Sequence, residues 1–519
     1  MRALLIYPIF PKTFWSFEKA MKLAGHKAVL PPLCLVTVAA ILPQDWEFRL
    51  IDRNIDQVSD VDWDWAEVIL ISGMIVQRQD FLALIREARR RQKPVAVGGP
   101  YATLLPYEVE AAGANYLVLD EGEITLPMFV EAVENGESTG TFRSTEKPDM
   151  TQTPVPRFDL LDMDAYSEMA VQFSRGCPYL CEFCDITILY GRKPRTKTPQ
   201  QMIAELELLY ELGWHRCVFV VDDNFIGNKR KAKKLLQELG PWMEAHEFPF
   251  TFSTEASLDL AEDLELMNLM TACNFGAVFL GIETPDEASL AGANKQQNLR
   301  SSMTEAVRKI TANGLRVMGG FIIGFDAEKS GAGERIVRFV DEAAIPTAFF
   351  SMLQALPDTA LWHRLKDEGR LRDSPVTANQ ATLMNFLPTR PMEEVAREYI
   401  DGFWKLYEPK SYMDRAYRHY RILGEAPCHK KSRKKRLSKK KMGWREFRAF
   451  ALILILQGGV RKTRVAFWRY LWQMYRHNPG GVISYLNVCA QLEHFLEYRR
   501  IIKEQINLQL DSFLSKEAG

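Results

Sequence analysis

The sequence predicts an α/β protein made of two successive parallel βα arrays and a mostly helical C-terminal region. Three observations carry this prediction. Short apolar runs alternate with stretches of helical period from residue 3 to about 135, and the same rhythm returns between 169 and 353. The last hundred or so residues lose it, passing from a dense basic run into apolar and aromatic segments. The division that follows is a doubly wound, Rossmann-like sheet over 1–140, a connector over 141–165, a second βα domain over 166–375 and a helical domain over 376–519.

In the first array the strands are expected at 3–7, 48–51, 68–72, 95–97 and 116–119, with helical segments such as 32–42 and 80–91 between them. Ligands of open parallel sheets bind beyond the carboxyl ends of the strands. Those ends carry Ser72 and Gly73, Gly98 and Gly99, and Glu121 and Gly122, small residues that let a large planar ligand approach the backbone, with a carboxylate beside them. No G-x-G-x-x-G fingerprint follows the first strand, which argues against a dinucleotide. A flavodoxin-like fold without a ligand is the competing reading.

Residues 141–165 lose periodicity and collect Pro148, Pro154 and Pro156, the composition of a connector. Six further strands are expected at 170–173, 217–221, 250–253, 278–282, 317–323 and 348–353. Six βα units suit a partial, six-stranded TIM-like barrel, whose chemistry belongs at the carboxyl ends of its strands. Polar residues gather there: Asp222, Asp223 and Asn224, then Thr254 and Glu255, Glu283 and Thr284, and Gly324 to Asp326. For any one of these carboxylates a helix cap or a surface ion pair competes with a ligand contact.

Between the first and second strands of this array lies Cys177-x3-Cys181-x2-Cys184. Thiolates select zinc, copper(I) or iron-sulfur clusters, and a closed zinc site would want a fourth ligand close by. None stands near: the next candidates are His215 and Cys217, the latter inside a strand-like run. Three thiolates on a cubane cluster leave one iron open, whereas a zinc knuckle would need a remote fourth ligand.

This spacing, with the aromatic Phe183 before the last cysteine, resembles the signature loop of the radical S-adenosylmethionine (radical SAM) enzymes, and the order of the two βα domains resembles the cobalamin-dependent class of that family. The resemblance implies a [4Fe-4S] cluster on Cys177, Cys181 and Cys184, with S-adenosylmethionine (SAM) on the open iron and cobalamin over the first sheet at Ser72, Gly73, Gly98, Gly99, Glu121 and Gly122. It further implies SAM contacts from Phe183, Glu255, Glu283, Gly319, Gly320 and Gly324. The Asp-x-His-x-x-Gly motif that ligates cobalt in other cobalamin domains is missing, as it is in many members of the class. The implied reaction is methylation of an unactivated carbon, one SAM giving the methyl group and a second opening the C–H bond. Radical cyclisation or rearrangement without methyl transfer, and a non-catalytic corrinoid or iron-sulfur carrier, are the rival functions. A small-molecule substrate and an electron donor such as flavodoxin or ferredoxin are implied as well.

The remaining features bound these readings. At 519 residues, with 47% hydrophobic and 25% charged residues, the chain is long enough for about three domains. Its eight cysteines, three of them clustered, argue for a reducing compartment rather than a disulfide framework. Cys34, Cys217, Cys273 and Cys489 are expected in the core. The N-terminus reads as a buried strand and not a signal peptide, so a cytoplasmic location is expected. Formal net charge is zero, and the basic residues concentrated near the C-terminus leave the body net acidic, so nucleic-acid binding is not expected. The basic loop 191–197 beside the cysteines is expected to be solvated, and His363 to be structural. Residues 430–441 hold nine basic residues in twelve, and 460–477 interleave arginine with tryptophan and tyrosine. Such a pairing suits the cytoplasmic face of a membrane and a lipid or isoprenoid substrate, against a competing arrangement in which these helices simply pack on the barrel.

Overall fold

A computed structural model describes residues 1–374, 376–377, 379–426 and 444–517. The basic run 430–441 lies outside the described residues.

Six parallel strands form the first sheet: β1 (Arg2–Tyr7), β2 (Glu47–Asp52), β3 (Val68–Ser72), β4 (Val95–Gly98), β5 (Tyr116–Val118) and β6 (Gly140–Phe142), in the order β2-β1-β3-β4-β5-β6. Successive side chains point to opposite faces, and both faces are covered. Leu4, Ile6, Ile69, Ile71, Val95 and Val97 pack into one core, Ala3, Leu5, Val68, Leu70 and Ala96 into another. The strand order reverses between β1 and β3, so the crevice at their carboxyl ends is the switch point of the sheet.

The stretch 141–165 does not begin as a connector, because Gly140–Phe142 pairs parallel with β5 as the edge strand. With three residues and Thr141 exposed, this strand is too short to show an alternating pattern. Beyond it the chain turns through short 3-10 segments, and the carbonyl of Ala165 accepts from the amides of Lys27 and Ala28.

The second sheet contains β7 (Glu168–Val171), β10 (Cys217–Val220), β11 (Thr251–Ala256), β12 (Phe275–Glu283), β13 (Arg316–Ile323) and β14 (Thr347–Met352), all parallel. Each lies beside its neighbour in the chain, and β7 and β14 are the two edges, which makes an open half-barrel. Val278, Leu280 and Ile282 are fully buried on its helix-covered side. The alternate residues Phe279, Gly281 and Glu283 therefore face inward. Between β7 and β10 a two-stranded antiparallel hairpin, β8 (Ser174–Arg175) with β9 (Arg195–Thr196), frames the cysteine loop.

The C-terminal region is helical, with helices at Met392–Leu406, Pro409–Gly424, Trp444–Ile455, Arg464–His477 and Val482–Glu517. It shares one continuous hydrophobic core with the half-barrel. Buried hydroxyls join the two: Tyr407 donates to the carbonyl of Ala348 at 2.6 Å and Tyr399 to that of Phe350 at 3.1 Å. Phe14, from the loop after β1, stacks on Phe495 of the last helix at 4.7 Å and so ties the first domain to the same core. Among the described residues no helix is long and apolar enough to cross a membrane.

Candidate active site

The cysteine loop is shaped before any ligand arrives. Asp222, at the carboxyl end of β10, accepts from the Phe173 amide at 2.7 Å and the Ser174 hydroxyl at 2.6 Å, anchoring the entry to the loop. Gly176 follows with φ +93°, and a Cβ there would stand 2.8 Å from the carbonyl oxygen of Gly191. Only glycine fits this turn. The Cys177 amide then donates to that same carbonyl at 3.2 Å. On the far side, Glu182 is held by Arg364 at 2.9 Å and by the Leu361 amide at 2.8 Å. Phe183 packs edge-on to Phe325 with centroids 5.9 Å apart, and the Lys295 ammonium lies over its ring at 5.9 Å.

The three thiols suit a cluster. Cys177, Cys181 and Cys184 are all half-buried, and burial pushes the thiols of Cys177 and Cys184 up, so ionised sulfur there calls for a bound cation. Among the described residues no group of three or more His, Cys, Asp or Glu side chains converges closely enough to hold a single metal ion. Two side chains touch the set: the Gln297 amide donates to Cys181 Sγ at 3.7 Å, and Asn224 is hydrogen-bonded to the Cys177 sulfur.

Beside the loop, the strand ends hold carboxylates that form no ion pair among the described residues, although Lys197 lies near enough to Asp222 to lower it. Burial, then the neighbouring Asp223 and Glu283, raises Glu255 to about 8. Burial, then Asp222 and Asp185, raises Asp223 to about 7, and one of its oxygens is buried with no hydrogen-bond partner. Asp222 rises to about 6, again chiefly by burial. Such a set is complementary to a ligand carrying ammonium, sulfonium and hydroxyl groups, which is the chemistry of SAM. Glu283 differs, because Lys295 neutralises it at 2.5 Å, and its φ of +64° marks a bend at the end of β12. Asp223 is among the strand-end residues that the sequence singles out, though not among the SAM contacts that the resemblance implies; its signal is the acidic pair after β10.

The glycines of β13 do not act together. A Cβ at Gly319 would meet the Phe321 ring at 2.9 Å and Ile282 at 3.2 Å, on the helix-covered side, whereas one at Gly320 would meet the Phe279 ring at 2.8 Å, inside the half-barrel. Adjacent residues of a strand face opposite ways, so one ligand cannot lie on both. Gly324, with φ +103°, turns toward Met384.

At the switch point of the first sheet, three loops touch. A Cβ on Gly98 would stand 2.7 Å from the Val118 carbonyl oxygen, and one on Gly99, where φ is +82°, 2.5 Å from Ser72 Oγ. Gly73 abuts Gln77 and Phe81. The glycines are thus required by loop packing, and the resulting surface is flat, with no side chain larger than serine at 72–73 or 98–99. Cys34 is not in a core: it is exposed in this crevice, near Ser72, yet deep enough that burial raises its thiol. Across the crevice, Tyr166 from the second domain donates to Asp52 at 2.9 Å. These features fit a bulky planar ligand held by shape.

Glu121 sits at the junction of the two halves. Arg195 reaches it at 2.7 Å and Arg175 at 3.0 Å, while Arg175 also reaches Glu123 at 2.8 Å, all in a buried setting. Gly122, at the start of the helix Gly122–Glu134, packs on Leu126. The basic loop is therefore only partly solvated: Arg192 and Lys193 are exposed, but Arg195 serves Glu121 and Lys197 is buried against Glu205. The pairing joins residues more than fifty positions apart, which sequence spacing does not show. His363 is exposed and paired with Asp358.

Known proteins match this architecture. The radical SAM superfamily profile covers residues 171–340, a B12 binding domain profile 23–130, and a domain of unknown function (DUF4070) 359–508. An uncharacterized methyltransferase of Synechocystis sp. is 58% identical over 518 residues, covering 100% of this chain and 95% of that protein. Hopanoid C-2 methylase of Rhodopseudomonas palustris is 34% identical over 507 residues, covering 96% and 94%. Among solved structures, the cobalamin-dependent SAM radical enzyme OxsB with aqua-cobalamin bound superposes with a TM-score of 0.61 at 15% identity, over 100% of this chain and 81% of that one. The methyltransferase TsrM from Kitasatospora setae gives 0.60 at 16% identity, over 83% and 99%. These two show the fold alone. With full-length relatives at this identity, and with both cofactor-domain profiles matched in order, the chain belongs to the cobalamin-dependent radical SAM enzymes, which use a [4Fe-4S] cluster, SAM and cobalamin.

Proposed function

We propose that the protein is a C-methyltransferase acting on an unactivated carbon of a lipid or isoprenoid skeleton, of which a hopanoid is the nearest example, drawn from the cytoplasmic face of a membrane. When bound, the cofactors would supply the hard steps, hydrogen abstraction and a transferable methyl group. Cys177, Cys181 and Cys184 hold the cluster, and Asp223 and Glu255 receive the cationic part of SAM. Phe183, Gly320, Gly324 and Glu283 border that ligand, while Ser72, Gly73, Gly98 and Gly99 carry the corrin. Glu121 takes a positioning role, holding the cysteine hairpin against the cobalamin-binding half.

The observation that carries an apolar substrate is the lining of the half-barrel. Phe279, Met318 and Phe349 face inward yet are only partly buried. Trp15, from the loop after β1, stacks on Phe349 at 5.6 Å with the rings 13° apart and meets Phe279 edge-on at 5.6 Å. An open aromatic wall of this kind suits hydrocarbon rings. The relative named hopanoid C-2 methylase supports the same class.

The test is anaerobic reconstitution with iron, sulfide and cobalamin, followed by turnover with SAM, a hopanoid and reduced flavodoxin or ferredoxin. Equal yields of 5′-deoxyadenosine, S-adenosylhomocysteine and methylated hopanoid are expected. 5′-Deoxyadenosine without S-adenosylhomocysteine would mean a rearrangement, and neither product would mean a carrier; each overturns the reading.

A further inference from the structure

The helix Arg464–His477 has two unlike faces. Phe467, Tyr470 and Met474 are buried, and Tyr470 donates to Asp414 of the helix Pro409–Gly424 at 2.8 Å. On the other side Val465, Trp468, Trp472 and Tyr475 are 76%, 47%, 58% and 70% exposed. At about 100° per residue these four span an arc of roughly 80°, opposite the buried three. Four large apolar side chains are thus gathered on the solvent side of one helix, where scattered single residues are the norm.

The charges around this arc are of one sign. Arg464 falls on one border, and Arg469 and Arg476 on the other, all exposed. The Arg476 guanidinium lies over Trp472 at 4.8 Å. From 447 to 492 the sequence holds six lysines and arginines and no aspartate or glutamate. The surface continues at each end of the helix: Val460, in the turn before it, and Ile483, at the start of the last helix, are also exposed. Tryptophan and tyrosine flanked by arginine are the residues that settle at the headgroup level of a bilayer, with the rings in the apolar boundary and the guanidiniums on phosphates.

We propose that this face docks on an anionic lipid bilayer, with Val465, Trp472 and Tyr475 entering the interface and Arg464, Arg469 and Arg476 contacting headgroups. The charge pattern selects a bilayer over a protein partner, since an apolar centre flanked by arginines that form no ion pair among the described residues matches a surface that is apolar beneath and anionic above. The proposal extends the reading of a lipid substrate by naming where the enzyme meets the lipid phase, but docking needs no turnover to be observed.

The reconstituted full-length protein is mixed with vesicles of phosphatidylcholine alone or with about 30% phosphatidylglycerol, and bound protein is measured by co-sedimentation. The test variant is Val465→Ser/Trp472→Ser/Tyr475→Ser. Trp468 is kept because its indole donates to the Gly458 carbonyl at 2.9 Å and packs on that glycine. A second variant, Arg464→Gln/Arg469→Gln/Arg476→Gln, removes charge only, each residue being worth about fivefold near an anionic leaflet. Binding should require the anionic lipid and weaken as salt rises. It should fall at least about tenfold in the apolar variant and about a hundredfold in the charge variant, with cobalamin content unchanged in both. Brominated lipids should quench wild-type tryptophan emission more than that of the apolar variant. Wild-type affinity in the apolar variant would overturn the proposal, as would equal binding to neutral vesicles. Absence of vesicle binding, with a dimer that dissociates in the apolar variant, would reassign the face to self-association. A protein that docks but gives no methylated hopanoid would refute the substrate and leave the docking face standing.

Discussion

The two parallel sheets end in similar sequences and solve opposite problems. At the switch point of the first, glycines lock three loops together, and both deeply buried carboxylates have partners, Glu121 in Arg175 and Arg195 and Asp52 in hydrogen bonds from Tyr166 and the Asn54 amide. At the mouth of the second, Asp223 and Glu255 are half-buried and in no ion pair among the described residues, and their protons are held near neutrality as a result. The first region is electrostatically finished and selects by shape. The second is unfinished, and its missing charge is the ligand's. Small and acidic residues at strand ends therefore do not specify a site by themselves; what decides is whether the fold supplies the counter-ions.

The strongest way to separate the two regions is to remove the cluster. Replacing Cys177, Cys181 and Cys184 with alanine should abolish iron binding and reduce SAM cleavage to background, while corrinoid uptake, followed by its visible spectrum, stays at the wild-type level. Loss of the corrinoid as well would show that the two sites do not load independently.

Next in size is the pairing that joins them. Glu121→Ala would leave two buried guanidiniums facing each other without their shared carboxylate, at a cost of about 3 kcal/mol. Thermal unfolding should register this as a lower midpoint. Glu121→Asp, which keeps the charge, should recover part of the loss, and a midpoint equal to wild type in Glu121→Ala would remove the residue from the interface argument.

These features were unequally legible in the sequence. The cysteine loop was readable because its ligands lie within eight positions of one another and each thiolate needs the others. Both sheets were readable because buried parallel strands are continuous apolar runs. The strand Gly140–Phe142 was not, since an exposed edge of three residues carries no period. Cys34 resembled a core residue because Pro31, Pro32 and Leu33 surround it in the chain, yet its helix presents it to the crevice. Glu121 as an ion-pair partner and Gly319 as an outward-facing residue both depend on which segments the fold brings together, information that local composition does not hold.

Smaller in effect, and aimed at the unfinished region, is a test of protons. Glu255 lies near 8 in the ligand-free protein, mainly through burial, so it is largely protonated at about pH 7. A carboxyl raised in the folded state contributes stability that is present below its ordinary range and lost as pH rises through the folded value. The ligand-free protein should therefore become less stable between about pH 5 and 8, and SAM should reverse the trend by supplying a cation. Calorimetry in buffers of different ionisation enthalpy should find a net proton released per SAM bound near neutrality. Glu255→Gln should weaken SAM by about tenfold at pH 8 and reduce that release. Unchanged proton release would mean that Glu255 stays protonated beneath the ligand.

The smallest expected effect concerns the finished region. Gly99 has φ +82° and stands where a Cβ would be 2.5 Å from Ser72 Oγ. Gly99→Ala thus meets two costs, about 1 kcal/mol for the left-handed backbone and a further clash that the serine must relieve by moving. If the crevice selects by shape, corrinoid affinity should fall severalfold while SAM affinity holds, because the barrel mouth shares no residue with these loops. Adding Ser72→Ala removes the clashing hydroxyl but not the backbone strain, so the double variant should recover only part of the lost affinity. Neighbours that touch are expected to be non-additive in this way. Full additivity would show that the hydroxyl simply rotates aside, leaving backbone strain as the whole effect. A corrinoid affinity indifferent to both changes would place the ligand away from these loops.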